Sequence, residues 1–249
     1  MDALIIAAGF GSRLREVSPS KPLTPIGGVP LLELGVRQAA AAGAARVVVV
    51  TGHRGDEVEA ALPALAARAG VPVTAARVAD WSLPNGHSVL AGAAQIAGDY
   101  LLMMADHIFA APILHRLARQ GNADRGVTLA IDRRVTSPLI DPDDATWVET
   151  AANGRIAAIG KALTRYDAVD CGAFLATPEL AAAIAGAIAA GQAGSLSEGM
   201  QRLAHAGRAA TMDIGDDDSA AWWLDVDDPR AHALAEAEAP RRLSEFYPA

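Results

Sequence analysis

Four consecutive valines, residues 47–50 in ARVVVVTG, constrain this chain more than any other feature. A strand with one wet face alternates apolar and polar residues. Four β-branched residues in a row need cover on both faces. That is the setting of a central strand in a parallel sheet with helices above and below it. Residues 4–7 in MDALIIAAG and the run YLLMMADH at 100–107 carry the same uninterrupted apolar pattern. Helix-like segments separate them: PLLELGVRQAAAAG, then 56–68 ended by Gly70, then 92–96, with a further strand at 71–75. This strand–helix order predicts an α/β fold, a mostly parallel open sheet with a Rossmann-like N-terminal half.

The second half reads differently. Residues 147–150 and 155–159 flank Asn153-Gly154, a strong hairpin signal. A strand at 168–176, a helix at 178–190 and a strand at 222–226 follow, and Asp228-Pro229 opens the last helix. No repeat or low-complexity linker divides the chain. The expectation is one domain over 1–249: a nucleotide-binding half at 1–110 and an acceptor-binding, metal-completing half at 146–230. The hairpin reads as an insertion covering the cleft, and IDRRVTSPLIDPDDA as a looser connection between the halves.

Composition excludes several classes. The net charge of −8 argues against a nucleic-acid surface, so an anionic small substrate needs a local cluster of Lys and Arg. The single cysteine, Cys171, rules out an intrachain disulfide framework and a cysteine-ligated zinc site. No stretch approaches the roughly 20 apolar residues of a membrane helix. No basic segment precedes the first apolar run, so the expectation is a cytoplasmic protein without a secretory signal.

The turn after the first strand, Ala7-Ala8-Gly9-Phe10-Gly11-Ser12-Arg13, places small residues, free N–H groups and a guanidinium at a strand's carboxyl end. It lacks the third glycine of a dinucleotide fingerprint, no ribose-binding acid follows residues 47–52, and no Walker A loop is present. A nicotinamide-dependent oxidoreductase is therefore disfavoured; a triphosphate suits the groups that are there. Lys21, between Ser20 and Pro22, adds a second cation on a restrained backbone. Asp106 ends an apolar strand, where a carboxylate needs a cation or a metal. Asp225 and Asp227, two apart in WWLDVDDP, are expected to share a face. Oxygen ligands of this kind suit Mg²⁺, held by Asp106 and Asp227 with Asp225 as rival or support. Asp228 reads as a helix N-cap. Asn85, before Gly86, can read a pyrimidine edge or cap a turn, and Ser88 can support the base or ribose. Lys161 reads as a cation over the cleft, Asp170 as an acceptor for ring hydroxyls, and Glu198 either as a second such carboxylate or as part of a helix start. His107 orders Asp106 or contacts the acceptor.

LIIAAGFGSRL followed by SKPLTPIGGVPLL resembles the signature of the sugar-nucleotide pyrophosphorylase and cytidylyltransferase superfamily. The resemblance implies that the small-residue loop wraps a nucleotide while Arg13 and Lys21 hold its phosphates. LPNGHSVL, MADHIF, IGKALTRYDAVDCGAFL, SLSEGMQRLA and WWLDVDDP narrow it to the inositol-1-phosphate cytidylyltransferases, over nearly the whole chain apart from 110–145. What that implies is Mg²⁺-dependent transfer of CMP from CTP to 1L-myo-inositol 1-phosphate, with Arg13, Lys21 and Asp106 catalytic. A downstream membrane transferase using CDP-inositol is the implied partner; a homodimer is compatible with it. Three positions depart from the pattern: Ser20 for proline, Cys171 for threonine and Phe109 for tyrosine. The last two leave phosphocholine or a small phosphonate as alternative acceptors, and because the residues alone do not separate CTP from UTP, a UTP- or dTTP-dependent sugar 1-phosphate reaction is a further alternative.

Overall fold

The run of valines lies where its composition requires. In the computed structural model, which describes residues 1–120, 125–217 and 220–247, Val47 and Val49 belong to one apolar core and Val48 and Val50 to another, on opposite faces of a central strand. Neighbouring strands divide in the same way: Ala3 and Ile5 against Leu4, Leu101 and Met103 against Leu102. Burying both faces of such strands is the main stabilising term, roughly 1.5–3 kcal/mol for each large apolar side chain.

In chain order the elements are β1 (Asp2–Ile6), β2 (Pro25–Ile26), β3 (Val29–Pro30), α1 (Leu31–Ala41), β4 (Arg46–Thr51), α2 (Gly55–Ala69), β5 (Val73–Arg77), α3 (Asn85–Ala93), β6 (Tyr100–Met104), β7 (His107–Phe109), α4 (Ala111–Ala118) and β8 (Val127–Asp132). The second half adds β9 (Trp147–Thr150), β10 (Ile156–Gly160), β11 (Ala168–Ala176), α5 (Pro178–Ala189), α6 (Leu196–His205), β12 (Ala209–Asp213), β13 (Trp223–Asp225) and α7 (Pro229–Arg242). One sheet runs through both halves in the order β10-β9-β11-β6-β1-β4-β5, with β8 also on β11 and β12 on β8. Strands β6, β1, β4 and β5 are parallel, whereas β11 is antiparallel to β6, β8 and β9. The result is a single α/β domain built on a mixed, mostly parallel sheet.

Two local readings change. The hairpin forms, with Gly154 at φ 74°, but β9 pairs with β11 and extends the edge of the sheet. Its strands do not line the cleft, whose wall is formed by residues 138–141 and 144–146 and, just past β10, by Lys161. Helix α3 starts at Asn85, with Pro84 as its N-cap, rather than near Gly92. The apolar periodicity hides this start, because Gly86 and Ser88 are buried without being apolar.

Gly86 is needed for close approach. A Cβ there would lie 2.2 Å from the Gly194 carbonyl oxygen and 2.9 Å from Ile184 Cγ2. Helix propensity favours Gly86→Ala by about 1 kcal/mol, but overpacking against rigid backbone costs roughly 1–3 kcal/mol. The expected net effect is a lower melting temperature in Gly86→Ala; an unchanged or raised value would contradict the packing of α3 on the turn before α6.

Candidate active site

The turn after β1 puts its small residues beside a lysine. Ala7 and Ala8 are buried while Gly9 and Phe10 are exposed, and Gly11 takes φ 59°. A Cβ on Gly11 would sit 2.7 Å from Lys21 Cβ, so only glycine lets the lysine stem pass under the loop. Lys21 is largely covered, with 10% of its side chain accessible. Its ammonium therefore has a fixed address rather than a solvent-sampling one. A small cavity beside it is lined by Ala7, Gly9, Gly11, Lys21, Asp106 and Asp227.

From that lysine an alternating chain of charges crosses a larger cleft of about 260 Å³. Lys21 Nζ donates to Asp106 Oδ2 at 2.5 Å and also pairs with Asp227 Oδ1. Asp227 Oδ2 pairs with Arg13. Arg13 donates in turn to Asp144 Oδ2 at 2.5 Å and lies 3.6 Å from Asp141 Oδ2. Asp144 Oδ1 accepts from Lys161 Nζ at 2.5 Å. At the other end, His107 Nδ1 lies 2.8 Å from Asp106 Oδ1 and 3.7 Å from Asp225 Oδ1. Nucleotide-side and acceptor-side candidates from both halves of the chain thus belong to one network.

The titration behaviour follows the neighbours. Burial pushes the Asp106 carboxyl up, but the Lys21 ammonium and His107 beside it win and hold it well below the usual carboxylate range. Burial opposes charge on His107 as well, yet Asp225 and Asp106 raise it to about 9, which leaves it protonated at neutral pH. Asp225 is pushed upward by burial and by the charge of Asp106. Asp106, His107 and Asp225 each offer a ligand atom, and these atoms lie within 4.8 Å of one another. Asp225 Oδ1 is buried without a hydrogen-bond partner, which fits a carboxylate awaiting a cation. Asp227, expected to share the metal with Asp106, has its two oxygens on Lys21 and Arg13, as Asp106 has its own on Lys21 and His107. Asp228 caps α7, accepting from Ala231 N at 2.7 Å.

On the acceptor side β11 makes an irregular step between Asp170 and Phe174. Gly172 sits in that step at φ 76°, and a Cβ there would be 2.5 Å from the His107 ring. This places Asp170 on the cleft, where its Oδ1 accepts from Gly172 N at 2.7 Å. The positions that depart from the family pattern, Cys171 and Phe109, are fully buried in the core and do not line the cleft. Their substitution is a matter of packing.

Some expected ligands have other duties. Glu198 forms a capping box with Ser195, accepting from Gly194 N and Ser195 N at 2.7 Å each. Its carboxylate is committed to the start of α6, and the acceptor role expected of it is withdrawn. Asn85 Oδ1 accepts from Leu196 N at 2.9 Å, so only its Nδ2 is left to meet a ligand in the cleft that Asn85 lines. Gly86 and Ser88 are buried on α3, Gly86 for packing, and neither lines the cleft. Conversely, Asp141, Asp144, Thr146, Trp223 and Arg230 line it, although sequence reasoning does not single them out. The acidic turn DPDDA at 141–145 is visible in the sequence, but the direction it faces is not.

With that geometry in view the comparisons are specific. Residues 3–204 match the model of the MobA-like NTP transferase domain. The chain belongs to that family. It is accordingly a nucleotidyltransferase. It is 35% identical over 237 residues, 94% of its length, to a bifunctional IPC transferase and DIPP synthase of Rubrobacter xylanophilus. It spans about half of that relative, 51%. The inositol-1-phosphate CTP transferase from T. maritima superposes with a TM-score of 0.78 at 24% identity, covering 96% of each chain. A UDP-glucose pyrophosphorylase complexed with UDP-glucose gives 0.76 at 18%, covering 95% of this chain and 98% of the other. These two likenesses establish the fold. Among the described residues no helix is long and apolar enough to cross a membrane.

Asp170 supplies a pH test of the site. Burial raises its carboxyl from 3.8 to about 6, so between those values the native state binds more protons than the unfolded one. Stability must fall as pH rises through that window. Asp170→Asn should remove this part of the slope in melting temperatures measured from about pH 4 to about pH 7. Identical slopes in the two proteins would show that the carboxyl is not desolvated.

Proposed function

We propose that the chain transfers CMP from CTP to 1L-myo-inositol 1-phosphate, releasing pyrophosphate and forming CDP-inositol. The observation that carries this reading is the charge chain, which joins Arg13 and Lys21 at the glycine-rich turn to Lys161 across one cleft. The names of the relatives point to the same substrates. The chemistry is displacement at the α-phosphorus. An oxygen of the acceptor phosphate forms the new P–O bond as the bond to the β-phosphate bridging oxygen breaks, and the electron pair leaves with pyrophosphate. A phosphomonoester is largely dianionic at neutral pH, its second pKa being about 6, so no general base is required.

Each residue then has a defined task. The backbone from Ala7 to Ser12 admits the nucleotide closely, and Arg13 and Lys21 neutralise its phosphates as charge accumulates in the transition state. Asn85 offers its remaining amide N–H groups to a base edge. Lys161 takes the acceptor phosphate, and Asp170 and His107 meet ring hydroxyls. Carboxylates outnumber cations along the cleft, which favours a bound divalent ion when an anionic substrate enters. Asp106 and Asp225 are the pair best placed to hold Mg²⁺, which when bound neutralises the triphosphate and orients it for attack. In this reading residues 1–110 serve the nucleotide and 146–230 the acceptor, and a membrane transferase is the natural consumer of the product.

The test measures pyrophosphate release with the four nucleoside triphosphates, with and without Mg²⁺, against a panel of inositol 1-phosphate, phosphocholine, a small phosphonate and a sugar 1-phosphate. The expected outcome is Mg²⁺-dependent turnover with CTP and inositol 1-phosphate. Phosphocholine should be poor, because the rings that line the cleft, Phe174 and Trp223, are both buried and Trp223 is stacked on His107, so they form no cage for a quaternary ammonium. Equal rates with GTP would refute the pyrimidine assignment, and preference for phosphocholine would refute the acceptor.

A further inference from the structure

We propose that Asp144 is an internal stand-in for a substrate phosphate, a carboxylate that must be displaced before the cleft can bind one. The inference rests on the functional reading only in taking Arg13 and Lys161 as phosphate ligands. Its two oxygens are divided between those two cations, Oδ2 to Arg13 and Oδ1 to Lys161, each at 2.5 Å. One anion therefore bridges the cation following β1 and the cation following β10, which come from opposite halves of the chain. A phosphate oxygen pair makes the same demand on the same two donors. A tetrahedral anion cannot occupy that place while the carboxylate does.

The surroundings suit exchange. Arg13, Lys161 and Asp144 retain 43%, 60% and 28% of their side-chain accessibility, so an incoming anion reaches all three. The turn that carries Asp144 is closed on itself: Asp143 N donates to Asp141 Oδ1 at 3.0 Å and Ala145 N to Asp141 O at 2.9 Å. Just before it, Ile140 is packed into the core and the Pro138 carbonyl accepts from Arg230. Anchored at 138–140 and self-contained at 141–145, the turn can release its cations without unfolding.

The consequence is a uniform penalty on anions entering this subsite. Inorganic phosphate has only the two cations to gain, so the penalty keeps its occupancy low. An acceptor that also reaches Asp170 and His107 has further contacts with which to overcome it. The internal pair further keeps Arg13 and Lys161 neutralised in the ligand-free protein.

The experiment is calorimetric titration with inorganic phosphate at constant ionic strength, without nucleotide or metal, on the full chain. Breaking two partly exposed charge-assisted contacts predicts about tenfold tighter binding in Asp144→Asn and in Asp144→Ser. Asp143→Asn makes the same change in net charge on an exposed neighbour and should move affinity by less than about twofold. Adding Lys161→Ala to Asp144→Asn should abolish the gain. Thermal melts establish that each variant is folded, and Asp144→Glu replaces any that is not, with wild-type-like affinity expected. Unchanged or weaker phosphate binding in folded Asp144→Asn or Asp144→Ser, or an equal gain in Asp143→Asn, would overturn the proposal. Because the titration needs no turnover, failure of cytidylyl transfer and failure of this displacement are separate results.

Discussion

Asp227 is the hinge of the electrostatic arrangement. One oxygen holds Lys21 and the other holds Arg13, and through them the carboxylates of Asp106 and Asp144 are tied into the same network. Remove it and two cations face each other across the mouth of a partly buried pocket. The remaining geometry depends on this bridge. It draws the segment after β13 against the turn after β1; among the described residues β13 and β1 share no pairing. The strength of such links grows as water is excluded, and Lys21 and Asp227 are both largely covered.

The sheet explains why these groups meet. Strands β1 and β6 run parallel in register, Ile6 beside Met104. The residues that follow them, the glycine-rich turn and Asp106, therefore emerge on the same edge, where open parallel sheets bind ligands. Short strand β13 pairs with β7 so that Asp225 lies opposite His107. Trp223 then stacks over the His107 ring at 5.9 Å, with its indole N–H donated to buried Asp132 at 2.9 Å. A carboxylate at the end of β8 thus helps to set the orientation of a ring at the centre of the site.

How much of this is legible in the sequence depends on whether the signal is local. Residues 47–50 announce a strand covered on both faces because four β-branched residues permit little else. The turn at Gly9 to Arg13, Lys21 on its proline-restrained backbone, and Asp106 at a strand end are readable for the same reason. Glu198 is not resolved, since S-x-x-E next to an apolar run suits a capping box and a ligand equally, and the backbone N–H groups of Gly194 and Ser195 decide the matter. Asp144 is invisible because nothing local separates it from Asp141 or Asp143 in the same acidic turn; its partners are Arg13 and Lys161, from distant parts of the chain. The choice between Asp225 and Asp227 likewise depends on which cations the fold delivers.

If the charge chain works as one unit hinged at Asp227, its members cannot contribute independently. The most direct measurement is a double-mutant cycle on kcat/KM for pyrophosphate release from CTP and inositol 1-phosphate, with Lys21→Ala, Asp227→Asn and the combination. Each single change should lower the rate by about a hundredfold or more, as loss of a transition-state contact does, and the double variant should be little worse than the poorer single one. Losses that multiply across the two sites would contradict the account, because they would mean that Lys21 and Asp227 act on the reaction separately.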